Sequence, residues 1–173
     1  MDKLIILAIV LVCLIIILRF FRNKIQTQDQ LTAHNAKALI LNCMDFRLID
    51  DYVKYFDSIG YNNNYDNFIL AGSSLGYNQT TYPDWKKSFE THIDLAIKLH
   101  HINEVIIVDH LGCGAYKIFY NNPNLTKSEE LTLHQKELTK AKIAIEAKYK
   151  DHHIKVRTFI MDIDGSIKEF IPK

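Results

Sequence analysis

The chain has 173 residues, 3 cysteines and a formal net charge of +1. Hydrophobic residues make up 48% and charged residues 24% of it, which is typical of a globular protein and excludes disordered, collagen-like and disulfide-rich classes. The basic excess lies in residues 1–24, and the rest of the chain is slightly acidic. A slightly acidic domain has no electrostatic footprint for nucleic acid, so we expect no nucleic-acid partner.

The N-terminus carries an unbroken apolar run over residues 4–18, which Phe20 and Phe21 extend beyond Arg19. A span ending at Phe21 can cross a bilayer if Arg19 extends its charge to the surface. A cleaved secretory signal is the alternative, but no small-x-small cleavage site follows the run. A buried core helix is a third alternative, but a helix that is apolar on every face is unusual at the free terminus of a small domain. We predict a transmembrane anchor with a basic flank over residues 1–24, followed by a polar tether over residues 25–36.

Basic side chains are more numerous after the apolar run than before it. The single apolar run predicts a single-pass membrane protein. Because cytoplasmic flanks are enriched in Lys and Arg, the flank that follows the run is predicted to lie in the cytoplasm. The globular domain, residues 37–173, would then lie in the cytoplasm.

The globular domain alternates short aliphatic runs with amphipathic stretches. Strands are predicted over residues 38–41, 68–70, 105–108 and 154–160. Helices are predicted from Leu48 to a C-terminal cap at Gly60, from about Pro83 to Leu99, and from Ser128 to Tyr149, where His134 is expected to be exposed. The stretch 61–66 is predicted to be a turn-rich loop. This alternation indicates an α/β fold with a parallel-sheet core flanked by helices.

Chemically active side chains follow two of the predicted strands. Cys43 follows the first, and His110 and Cys113 follow the third. In parallel α/β sheets such residues meet at the carboxyl ends of the strands. Two thiolates and one imidazole form a plausible zinc set that leaves a fourth position open, as catalytic sites do. The alternative is a pair of buried, inert cysteines.

A charged pair lies next to Cys43. Asp45 and Arg47 stand two positions apart, which lets the guanidinium hold the carboxylate in its ionised form. Asp45 could accept a hydrogen bond from water at the metal, or bind the metal as a fourth ligand in a closed state. An ordinary surface ion pair is the alternative.

Four further residues are predicted to shape the site. Gly72 and Gly114 would let the backbone approach an ion closely, although either could be a simple turn residue. Phe46 and Leu111 are predicted to line an apolar substrate pocket.

The motif Cys-x-Asp-x-Arg, followed by His-x-x-Cys-Gly, resembles the β-class carbonic anhydrases. The Ala71-Gly72 pair and the stretch 159–165 are similar to further parts of that family, and the resemblance covers residues 37–170. It implies zinc held by Cys43, His110 and Cys113, with Asp45 and Arg47 as the orienting dyad. It also implies a homodimer or higher oligomer with clefts near the subunit interface.

The leading hypothesis is a lyase that reversibly hydrates carbon dioxide to bicarbonate through a zinc-bound hydroxide oriented by Asp45 and Arg47. A related hydrolase of carbonyl sulfide or carbon disulfide is an alternative within the same family. A membrane-tethered, non-catalytic zinc protein with Asp45 as fourth ligand is another. It is motivated by the bulky Phe46 and by Ile69-Leu70, where the family commonly has Arg-Asn. A thiol enzyme is the remaining alternative, although the spacing from Cys43 to Arg47 is shorter than in cysteine phosphatases.

Overall fold

The computed structural model describes the backbone of residues 3–172 and the side chains of residues 5, 7, 9–22 and 34–172. The chain forms two compact units, Met1–His34 and Asn35–Lys173. The N-terminal unit consists of one α-helix, α1 (Lys3–Ala33). The stretch predicted as a polar tether is therefore helical as far as Ala33.

The predicted transmembrane anchor is not supported. Among the described residues, no helix is long and apolar enough to cross a membrane. The uninterrupted apolar run of 15 residues would reach about 22 Å as a helix, which is short of a hydrocarbon core of ~30 Å. The side chains of Leu4, Ile6 and Ala8, on which the prediction partly depends, lie outside the described residues. The cytoplasmic placement of the domain remains a prediction.

The C-terminal unit alternates strands and helices as predicted. Its strands are β1 (Ala38–Asn42), β2 (Tyr65–Ile69), β3 (Glu104–His110), β4 (Lys155–Met161) and β5 (Ile167–Phe170). Its α-helices are α2 (Ile49–Phe56), α3 (Ser74–Asn78), α4 (Pro83–His100), α5 (Gly114–Phe119) and α6 (Lys127–Lys148). Short 3-10 helices lie at Phe46–Leu48 and Lys150–His152, and a π-helical turn lies at Asp57–Tyr61.

The five strands form one sheet in the order β2-β1-β3-β4-β5. The first four are parallel, and β5 pairs antiparallel with β4. Strand β3 lies in the centre and is buried along its whole length, which explains its almost continuous aliphatic sequence. Asn42 pairs with Val108, so the carboxyl ends of β1 and β3 lie side by side.

Helices cover both faces of the sheet. Alternate residues of β1 and β3, beginning with Leu39 and Val105, pack on one face against apolar side chains of α4 and α6. The intervening residues, beginning with Ala38 and Ile106, pack on the other face against α2. Burying both faces of the sheet in this way is the usual arrangement of a parallel sheet.

Four elements of the C-terminal unit differ from the sequence predictions. Strand β2 begins at Tyr65, inside the stretch predicted as a loop. It is an edge strand that pairs with β1 through its backbone, and this pairing does not require the apolar alternation by which strands are predicted. The turn after Met161 reverses the chain into β5, which the pattern did not indicate. The helices α3 and α5 were also not predicted, since helices of five and six residues are too short to show periodicity.

Candidate metal centre

Cys43, His110 and Cys113 converge at the carboxyl ends of β1 and β3. Their potential ligand atoms all lie within 4.8 Å of one another, and the two sulfur atoms are 3.9 Å apart. Cys43 directly follows β1, His110 ends β3, and Cys113 is the N-cap of α5. The parallel pairing of β1 with β3 therefore brings together residues that lie about 70 positions apart in the chain.

The His110 ring is oriented for ligation. Its Nδ1 lies 2.9 Å from the carbonyl oxygen of Leu111, to which it can only donate a hydrogen bond. The lone pair is then on Nε2, which is buried and has no hydrogen-bond partner among the described residues. A metal-binding imidazole characteristically has one nitrogen fixed by a carbonyl and the other free for the ion.

The two thiols are electrostatically coupled. The hydrogen bond from Cys113 lowers the pKa of Cys43, whereas the sulfur of Cys43 raises the pKa of Cys113. The backbone N–H of Gly72 also donates to the Cys43 sulfur, at 3.4 Å. The pair can therefore hold one negative charge readily, and a second thiolate requires a cation beside it. Two thiolates and one imidazole are a donor set that suits zinc.

Gly72 is needed where the backbone approaches Cys43. Its φ is +75°, and a Cβ atom there would lie 3.1 Å from the Cβ of Ala115. A left-handed backbone and close packing are both conditions that favour glycine. That Gly72 lets the backbone approach a bound ion stays a prediction.

Asp45 and Arg47 form a paired, planar contact beside the cluster. Nε of Arg47 donates to Oδ1 of Asp45 at 2.8 Å, and Nη2 donates to Oδ2 at 2.6 Å. The backbone N–H of Arg47 also donates to Oδ1, at 3.1 Å. Asp45 Oδ2 lies 3.8 Å from Nε2 of His110. The carboxylate is thus held at the edge of the ligand cluster, and its Oδ2 lies near both Arg47 and His110.

The ionised form of Asp45 is strongly favoured. The hydrogen bonds from the Arg47 side chain lower the pKa of Asp45 to about 2 despite the opposing effect of burial. At neutral pH the carboxylate is consequently an acceptor of hydrogen bonds and a weak base.

Two cavities adjoin the cluster. An open cleft of about 770 Å³ is lined by Asp45, Cys113, Phe46 and Gly114, together with Tyr82, Trp85, Ile118 and Phe119. A small pocket of about 20 Å³, enough for one water molecule, is lined by His110, Asp45 and Asn42, among apolar side chains. The Oδ1 atom of Asn42 is buried without a hydrogen-bond partner among the described residues.

The predicted pocket residues are not all brought to the cleft. Phe46, which is 81% exposed, and Gly114 line it. Leu111 is buried and lines a separate cavity with Ile160 and Phe170. The N–H of Leu111 donates to the carbonyl oxygen of Met161 at 2.9 Å, which places the residue beside β4 and β5 and not at the cleft.

Sequence reasoning did not find a group of buried charges behind the cluster. It consists of Asp109, Glu130 and His134, and His134 was expected to be exposed but is fully buried. His134 Nδ1 lies 2.9 Å from Oδ2 of Asp109, and its Nε2 lies 3.7 Å from Oε1 of Glu130. A signal was present in the sequence: Asp109 is a carboxylate that follows the aliphatic run of β3 directly, and Glu130 and His134 lie one helical turn apart.

His134 lies between two carboxylates in a dry environment. Burial lowers its pKa, but the hydrogen bond with Asp109 and the negative charges of Asp109 and Glu130 outweigh this effect and raise the pKa to about 9. The imidazole is therefore positively charged at neutral pH and compensates the buried carboxylates.

Comparison with known sequences identifies the family. Residues 33–161 match the family model described as "Putative carbonic anhydrase". The chain belongs to the β-carbonic anhydrase family. It is also 35% identical over 147 residues to an uncharacterised protein of Rickettsia conorii, which covers 84% of this chain and 78% of that protein. An uncharacterised protein of Rickettsia bellii is 37% identical over 152 residues, or 87% of this chain and 92% of that protein.

Solved β-carbonic anhydrases share the fold. A tetrameric β-carbonic anhydrase of the fungus Sordaria macrospora superposes with a TM-score of 0.58 over 98% of both chains, at 11% identity. The β-carbonic anhydrase CafA of Aspergillus fumigatus gives a TM-score of 0.52 over 94% of this chain and 91% of that chain, at 12% identity. These likenesses establish the α/β fold of the family, with its mostly parallel sheet.

Proposed function

We propose that this protein is a zinc enzyme that reversibly hydrates carbon dioxide to bicarbonate. The observation that carries the proposal is the convergence of Cys43, His110 and Cys113, with the ionised carboxylate of Asp45 next to the free Nε2 of His110. Membership of the β-carbonic anhydrase family supports the same chemistry.

The three residues fit a zinc ion. His110 presents a buried nitrogen that lacks a partner, and the two sulfurs need a cation before both can lose their protons. Bound there, zinc would act as a Lewis acid and make water far more acidic than it is in bulk. Three protein ligands leave one of four tetrahedral positions for water.

Asp45 orients the water that reacts. Because its pKa is about 2, the carboxylate accepts a hydrogen bond from the water and does not remove its proton. The accepted hydrogen bond fixes the direction of the water's lone pair. A new C–O bond then forms to carbon dioxide, one C=O electron pair moves to its oxygen, and the proton lost from water passes to solvent.

Arg47 keeps Asp45 available for this role. Its guanidinium donates hydrogen bonds to both carboxylate oxygens, at 2.8 and 2.6 Å. A carboxylate held in this way does not rotate freely toward the metal, which favours an open fourth position over the closed state.

The cleft suits a small, neutral substrate, and its rim suits contact with a second copy of the chain. Its rim exposes the apolar side chains of Met44, Phe46 and Ile118, which are 66%, 81% and 77% exposed. Large exposed apolar side chains around a site often mark an interface. The related Sordaria macrospora enzyme is tetrameric, and we propose that this chain forms at least a homodimer that covers the rim.

The test uses the purified full chain. Its zinc content is measured first, and carbon dioxide hydration is then monitored by stopped-flow with a pH indicator. We expect about one zinc per chain and hydration above the uncatalysed rate, with both lost in Cys43→Ser. Cys13→Ser is the matched control, because Cys13 lies in α1; it should retain zinc and activity.

A zinc-loaded protein without hydration above background at pH 7 and at pH 9 would contradict the proposal. Assays with carbonyl sulfide and carbon disulfide would then test the related hydrolase activity on the same samples.

A further inference from the structure

One buried carboxylate holds the backbone of the loop that connects His110 to Cys113. Oε2 of Glu130 accepts the N–H of Gly112 at 2.8 Å, and Oε1 accepts the N–H of Cys113 at 2.8 Å. Glu130 is only 4% exposed and lies in the first turn of α6. Hydrogen bonds from backbone N–H groups to a carboxylate are among the stronger ones in proteins.

The loop has an unusual conformation at the point where Glu130 holds it. Gly112 has a φ of +70°, and a Cβ atom there would lie 3.2 Å from the side chain of Ile163. The carbonyl oxygen of Gly112 also accepts a hydrogen bond from Nη2 of Arg47, at 3.3 Å. The peptide that Glu130 binds therefore touches both a proposed zinc ligand and the residue that pairs with Asp45.

Glu130 is itself held in place by a second buried group. His134 lies between Glu130 and Asp109, and Asp109 accepts further hydrogen bonds from the N–H of Ser74 and the hydroxyl of Tyr116. Asp109 precedes His110 in β3. The buried group thus contacts the chain on both sides of the His110–Cys113 segment, before it at Asp109 and within it at Gly112 and Cys113.

A second buried carboxylate of α6, Glu137, provides a comparison for Glu130, because it is buried in the same helix but does not contact the metal-site loop. Glu137 lies two turns after Glu130, is 5% exposed, and accepts hydrogen bonds from Asn78 and Tyr120. Within the part of the chain that the structure describes, none of its hydrogen bonds or ion pairs is with residues 110–113. The two side chains match in type, helix and burial, and they differ in what they hold.

We propose that Glu130 is a positioning residue of the zinc site, whose carboxylate holds the Gly112–Cys113 backbone so that the Cys113 sulfur faces Cys43 and His110. The inference depends on the proposed zinc site. Residues that orient metal ligands in this way typically change metal affinity about 10- to 100-fold when they are replaced.

The test compares Glu130→Gln with Glu137→Gln in the full chain. An amide keeps the size of the side chain but presents an NH₂ group to one of the two N–H donors, so E130Q loses one of the loop contacts. Zinc affinity is measured by competition with a chelator, and the visible absorption of the cobalt-substituted protein reports the geometry of the sulfur ligands. Thermal unfolding without metal measures the general cost of each substitution.

We expect E130Q to weaken zinc binding about 10- to 100-fold and to change the cobalt spectrum, while E137Q leaves both as in the wild type. Equal zinc affinities in the two variants would overturn the inference, whatever their stabilities. If the wild type itself bound no zinc, the proposed function would fail, and this inference with it. If E130Q does not fold, the same comparison is made between Glu130→Asp and Glu137→Asp, and equal affinities in that pair would equally overturn it.

Discussion

Arg47 donates two side-chain hydrogen bonds to Asp45, with Nε 2.8 Å from Oδ1 and Nη2 2.6 Å from Oδ2. The two residues are separated by Phe46 alone, and a 3-10 helix beginning there turns the Arg47 side chain back onto Asp45. Two parallel hydrogen bonds fix the plane of the carboxylate and not only its position. The orientation of Asp45 toward the ligand cluster is thus determined within three consecutive residues.

The paired geometry predicts that Arg47→Lys is not a conservative substitution. Lysine keeps the charge but cannot make two parallel hydrogen bonds to one carboxylate. We expect kcat/KM for carbon dioxide to fall by about 100-fold, the size of effect that small misplacements of reacting groups produce, while the zinc content stays unchanged. Stopped-flow hydration and metal analysis of R47K measure the two quantities. Full activity in R47K would show that the paired geometry is unnecessary.

The low pKa of Asp45 predicts a specific dependence of stability on pH. The folded-state pKa is about 2, below the ordinary value of 3.8. The stabilisation is therefore complete above about pH 4 and is lost as the pH falls toward 2, because the folded state must then take up a proton. Asp45→Asn should show a smaller loss of Tm than the wild type over this range.

The control for this measurement is Asp151→Asn, which changes an exposed carboxylate far along the chain from the site. Its Tm should follow the wild-type curve. Identical pH dependence in D45N and the wild type would mean that the Asp45–Arg47 pair does not stabilise the folded protein.

Gly72→Ala should destabilise the protein, whereas Gly114→Ala should not. A Cβ at position 72 requires an unfavourable φ of +75° and approaches Ala115 to 3.1 Å, but a Cβ at position 114 meets nothing within 4 Å. Residues held in such a backbone region cost about 1–3 kcal/mol. Urea unfolding of the two variants tests the difference, and zinc affinity should fall in G72A because its N–H contacts the Cys43 sulfur. Equal stabilities would contradict this account of Gly72.

The exposed rim of the cleft predicts an effect on assembly. Ile118 is 77% exposed at the cleft, so Ile118→Asp should shift the protein to a smaller oligomer in sedimentation or light scattering. Ile143, which is 62% exposed on α6, provides the control, and Ile143→Asp should leave the assembly unchanged. A wild type that is monomeric at micromolar concentration would contradict the proposed homodimer.

The strands and the ligand motif could be predicted from the sequence because their signals are local. The aliphatic run of β3 indicates a buried strand, and His110 and Cys113 follow it directly. Since parallel strands end at the same edge, Cys43 could be expected to join them.

The support of the site could not be predicted, because it depends on contacts that only the tertiary structure makes. Glu130 looks like an ordinary first-turn carboxylate of α6, where such residues favour the helix dipole, and His134 looks like a polar residue of the same helix. Their burial follows from the packing of α6 against the loop at Gly112. The placement of Leu111 likewise depends on a tertiary contact, the hydrogen bond of its N–H to Met161.

X-ray absorption at the zinc edge of the full chain tests the central claim most directly. We predict two sulfur ligands at about 2.3 Å and two nitrogen or oxygen ligands at about 2.0 Å, one from His110 and one from water. The spectrum should be unchanged in Asp45→Asn, because Arg47 holds Asp45 off the metal. A site without sulfur in the wild type, or one that loses an oxygen ligand in D45N, would contradict the open catalytic centre.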